Sequence, residues 1–139
     1  MGIMKTILVS LAALLAAPAE ALPPAFLSPA PHDRARIFAD CAGWLLALEE
    51  HQRLFDGPAS ERTAAHRAAF LDLLDAVLPD AEAQGLPAGT ALSWRVIARA
   101  EQGALLSRAA FADDALAREP ARAAATTRVD ACLRMLPGA

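Results

Sequence analysis

The chain has 139 residues and a formal net charge of −3, a length that holds one domain. Its mildly acidic balance excludes the basic footprint on which nucleic-acid binding depends. Lys5 is the only lysine, Asn and Tyr are absent, and the remaining cations are all Arg; with the abundant Ala and Pro, this reads as GC-rich codon usage and carries little about function.

Met1 to Lys5 forms a short N-terminal region with one positive charge, Ile7 to Ala17 is an apolar run, and Ala19-Glu20-Ala21 is a small-x-small cleavage signal. That order is the grammar of a secretory signal peptide, assigned here to residues 1–21. The run is too short to cross a bilayer core of ~30 Å, which takes about 20 helical residues. No stable membrane span is therefore expected after cleavage, and no cysteine lies beside the site to accept a lipid. The mature chain is expected to start near Leu22 and to hold about 118 residues, enough for one modest core. Losing Lys5 and Glu20 together leaves the net charge unchanged. Export points to the periplasm first and the extracellular space second. There the only two cysteines, Cys41 and Cys132, are expected to form a disulfide.

Residues 22–32 hold Pro23, Pro24, Pro29 and Pro31 and read as an extended lead-in. From Asp33 the pattern turns helical and stays so, giving a bundle domain over 33–137. There is no alternating run of strand length, no hairpin dipeptide and no repeat. Helix 1 is expected from Asp33, as N-cap, to Phe55, with Ile37, Cys41, Trp44, Leu48 and Phe55 on its apolar stripe. Asp56-Gly57-Pro58 then breaks the chain. Helix 2 is expected to start at Ser60, present Thr63, His66, Phe70, Leu73 and Val77, and stop or kink at Pro79. Helix 3 is expected from Thr90 to about Leu116. Helix 4 is expected to open at Glu119-Pro120, with Pro at its first position, and to carry Ala125, Val129, Cys132 and Leu136.

Four helices with short links predict an all-α, antiparallel, up-down-up-down four-helix bundle. In that topology helices 1 and 4 run antiparallel, so Cys41 and Cys132 fall near the same end. A bridge between them would close a loop of about 90 residues, worth roughly 4 kcal/mol in the chain-entropy model.

Motifs for chemistry are sparse. His51 and His66 lie at similar heights around the Gly57-Pro58 turn and are the candidate ligands of a zinc or copper site. Their spacing matches no compact metal motif, and the plain alternative is a surface histidine and a core-edge one. Glu101 falls on the apolar stripe of helix 3 between Ile97 and Leu105, a candidate buried charge. Its plain reading is a stripe-edge residue paired with Arg108 or Arg134. Arg95 and Arg99, one turn apart, are a candidate patch for a carboxylate or phosphate, unless Asp72 and Asp75 answer them across the hairpin. No catalytic residue is assigned. Ser93 and Ser107 sit inside a helix without a nucleophile elbow, and no CxxC, CxxCH or glycine-rich phosphate loop is present.

No cofactor is implied. The expected function is that of an exported, non-enzymatic helical module binding a protein, peptide or small ligand through a helix face or a bundle groove. The alternative is a metal-handling protein using His51 and His66. An exposed apolar groove between helices favours the first, and imidazoles converging on one point favour the second.

Overall fold

The computed structural model describes residues 29–139, so the signal peptide and most of the proline-rich lead-in lie outside the described residues. These fold into four helices, and no strand occurs among them: α1 (Pro31–Gln52), α2 (Gly57–Ala83), α3 (Thr90–Phe111) and α4 (Ala115–Leu133). None of the described helices is long and apolar enough to cross a membrane.

The helix ends depart from the expected ones for local reasons. α1 begins at Pro31 and not at Asp33, because Pro in the first turn already has a helical φ and its missing N–H would be unpaired there. Asp33 lies in the first turn instead of capping it. α2 starts three residues before Ser60. Asp56 is its cap, its carboxylate accepting from the Ala59 N–H at 3.0 Å, while the Ser60 hydroxyl donates to the Gly57 carbonyl at 2.7 Å. Pro79 does not stop α2. It sits on the exposed face, and the turn beyond it is anchored by fully buried Ala81, with Leu86 buried just past the helix end. α3 ends at Phe111, short of Leu116, where Ala112 turns extended and Asp114 caps a new helix by accepting from the Leu116 N–H at 2.9 Å. Pro120 therefore lies inside α4, again on the exposed side, and not at its first position.

Cross-helix pairings give the directions. Gln52 meets Thr63 and Glu49 meets Arg67, so α1 and α2 are antiparallel. Arg36 lies over Trp94 while Glu50 holds Arg99, so α1 and α3 are parallel. Cys41 bonds Cys132 with Cα atoms 5.7 Å apart, and Arg128 stacks over Trp44, so α4 returns antiparallel to α1. The fold is the expected four-helix bundle, with the disulfide tying α1 to α4.

Within it α1 is the central helix. It packs along α2, α3 and α4, whereas α2 and α3, consecutive in the chain, make no extended contact with each other. A helix with neighbours on three sides cannot bury a single stripe of large residues. α1 instead buries small ones, Ala35, Ala39, Ala42, Gly43 and Ala47, together with Leu45 and Cys41. Ile37 and Phe55 of the expected stripe are exposed, Phe55 because it lies in the turn beyond the helix. The interior has two parts. Ala35, Ala39, Leu74, Ala81, Leu86 and Ala91 fill one end, with Trp94 packed on them. Cys41, Leu45, Phe70, Val129 and Cys132 fill the part around the disulfide.

Candidate functional site

The topology leaves an open channel where α2 and α3 flank α1 without closing on each other. Its floor is Ala42, Gly43 and Leu46 of α1, one wall is Arg67 and Leu71 of α2, and the other is Leu92, Arg95, Val96 and Arg99 of α3. The volume is about 270 Å³. Positions 92, 95, 96 and 99 follow helical spacing, so α3 has two faces: Ala91, Ala98 and Gln102 are buried, while this second stripe lines the channel. Leu92 and Val96 are 56% and 58% exposed.

The three arginines differ in their counter-ions. Arg67 Nε donates to Glu49 Oε2 at 2.8 Å. Arg99 grips Glu50 with two donors, at 2.9 and 3.0 Å. Those hydrogen bonds, and then the charge of the Glu50 carboxylate, hold the Arg99 pKa above its ordinary value. Arg95 has no carboxylate within 4 Å among the described residues, and its Nε is buried without an acceptor. Asp72 does not answer these arginines across the hairpin, because α3 packs on α1 and not on α2. The partner of Arg99 accordingly comes from α1. Asp75 borders Arg95 only through the adjoining hollow, where Glu82 also lies.

The buried carboxylate is Glu49, not Glu101. Glu49 is 1% exposed on α1 and holds both Arg53 and Arg67. The Glu101 side chain is 54% exposed, and it pairs with Arg128 of α4 at 3.5 Å, not with Arg108 or Arg134. Glu101→Gln should therefore cost no more than about 1 kcal/mol in chemical denaturation, as exposed pairs do. Glu49→Gln should cost about 2 kcal/mol, the scale of a hydrogen bond to a charged group lost from the interior. Equal losses for the two variants would contradict this assignment.

The histidines do not come together as a site. The ring of His51 packs against Phe55, with centroids 5.2 Å apart. It also borders a second hollow of about 440 Å³ between α1, α3 and α4, to which His66 does not contribute. Among the described residues no group of three or more His, Cys, Asp or Glu side chains is placed to hold a metal ion. Trp44 and Trp94 both pack against the core clusters, half-buried, each with an arginine over its ring.

Of the channel, sequence reading found Arg95 and Arg99 and missed Arg67, Leu46, Leu71, Leu92 and Val96. The signal was present in α3, where Leu92 and Val96 interleave with Arg95 and Arg99 at one-turn spacing opposite the buried alanines. Compared with protein-family models, with curated proteins and with solved structures, the chain matches none.

Proposed function

We propose that this chain is an exported, non-enzymatic helical module of the periplasm that binds its partner or ligand in the channel between α2 and α3. The observation that carries the reading is the channel itself: Leu92 and Val96 stand open beside Arg95, next to a helix pair that could have closed over them. Its polar groups are guanidiniums and paired carboxylates, which hold an anion and attack no bond. Export is supported by the leader pattern of residues 1–21 and by the Cys41–Cys132 bond, a linkage that persists in oxidising compartments.

The test uses the protein as made by its host, with a photo-crosslinking residue at Val96 or, as control, at exposed Ala123 on α4. A discrete adduct at position 96 and none at 123 is expected, on a protein whose N-terminus lies within two residues of Leu22 by intact mass. Labelling that is absent at both positions, or the same at both, would refute the binding assignment.

A further inference from the structure

We infer that the hollow between α1, α3 and α4 is a second binding site, for a small neutral molecule with an apolar body and one hydroxyl or N–H donor. It shares no lining residue with the channel between α2 and α3.

Gln102 carries the inference. It lies in the wall of the hollow and is 0% exposed, a long polar side chain wholly inside the protein. Its Nε2 donates to the Ala125 carbonyl of α4 at 3.1 Å. A carbonyl oxygen only accepts, so this bond fixes which way the amide faces and leaves Oε1 as its other end. Oε1 is buried, and no donor among the described residues reaches it. A buried amide oxygen without a donor costs free energy, and a ligand that brings a donor to it recovers that cost. The structure thus asks for a donor at the floor of the hollow and has no use there for an acceptor.

The walls set the body of the ligand. Leu48, Leu106 and Val129 present carbon to the space, and Ala109 and Ala125 are too short to fill it. An apolar body placed there removes that surface from water. Leu48 and Leu106 are only half-buried, so rotation of their side chains gives a ligand access to the floor.

The mouth selects neither sign of charge. It carries the Arg122 guanidinium, already bound to Glu119 at 3.2 Å, and the Asp130 carboxylate, one cation and one anion. Both are exposed, as is Thr126, and His51 beside them is half-buried. Water serves these groups, whereas it does not reach Gln102, so the distinguishing contact is the one at the floor.

The experiment titrates the exported protein, disulfide intact, by calorimetry with four probes built on one ring: p-cresol, p-xylene, p-toluate and p-methylbenzylammonium. p-Cresol should bind one to one and at least tenfold tighter than p-xylene, which has the same shape and no donor. It should also exceed both charged probes. Gln102→Leu should bring p-cresol and p-xylene within threefold of each other, and Ala109→Phe, which fills the hollow, should weaken both tenfold or more. In the wild type, p-cresol should shift the Nε2 amide resonances of Gln102. Equal affinity for p-cresol and p-xylene, or a preference that survives Gln102→Leu, would overturn the inference. So would a tighter fit of either charged probe, binding untouched by Ala109→Phe, or no binding of p-cresol up to its solubility. Should Gln102→Leu fail to fold, the resonances decide, and an unmoved Gln102 amide at saturation rejects the site. Crosslinking at Val96 reads the channel alone, so neither experiment settles the other.

Discussion

Cys132→Ser is expected to lower the melting temperature by about 10 °C or more, and calorimetry of the oxidised wild type beside the variant would measure it. The bond closes a loop with a sequence separation of 91 residues, which the chain-entropy model values at about 4–5 kcal/mol. A domain of this size shifts by roughly 4 °C for each kcal/mol. The packing of α4 makes the loss larger than the loop alone. Its buried residues are Ala121, Ala125, Val129 and Cys132, so the bonded sulfur is among its deepest anchors. Pro120 also deprives the helix interior of one backbone hydrogen bond. Hydrogen exchange after reduction should therefore show α4 amides losing protection while those of α1, α2 and α3 keep theirs. A fall of less than about 3 °C, or uniform loss of protection, would mean that α4 is held by its contacts with α3 and not by the bridge.

The second large effect is expected at Gly43, where the sign of a glycine-to-alanine change depends on place. A Cβ at Gly43 would lie 2.4 Å from the Arg95 carbonyl oxygen and 2.8 Å from the Ala98 Cβ. The nearest obstacle is backbone, which cannot rotate away, so α1 and α3 must separate along their closest approach. Gly43→Ala should cost about 3 kcal/mol, the upper part of the range for overpacked interiors. Gly103 lies mid-helix in α3 with nothing within 4 Å of its would-be Cβ. There alanine should stabilise by up to about 1 kcal/mol through helix propensity alone. Urea denaturation of the two variants side by side checks the pair, and a neutral Gly43→Ala would show that the α1–α3 contact yields without loss.

The helices and the disulfide were readable because both depend on local signals. Apolar residues recur at helical spacing from Ala35 to Cys132, and two cysteines admit only one intramolecular pairing. The helix ends were less readable, and the starts of α2 and α4 turned on competing caps. Asp56 outcompetes Ser60, and Asp114 opens α4 ahead of Pro120. What local reading missed was which helix stands in the middle. Hydrophobicity ranks Ile37 and Phe55 above Ala39 and Gly43, yet a helix packed on three sides buries what is small. The same omission misplaced the charges. Glu49 is buried because α1 is central, and Arg99 answers to Glu50 because α3 lies on α1. The channel follows from that arrangement too, and periodicity in one helix cannot reveal that two others fail to meet.

The central position of α1 also has a bearing on the order of events as the chain is made. α1 is synthesised before α2, α3 and α4, yet those three are what enclose it. Its α2 neighbour arrives after one short turn and can form a hairpin at once, a low-separation contact of the kind that forms early. Its far side stays open until α3 and then α4 have followed, and the Cys41 thiol waits for a partner 91 residues further along. The last helix to emerge thus closes the first, so a nascent chain halted after α3 would expose the Cys41 side of α1 to whatever lies nearby.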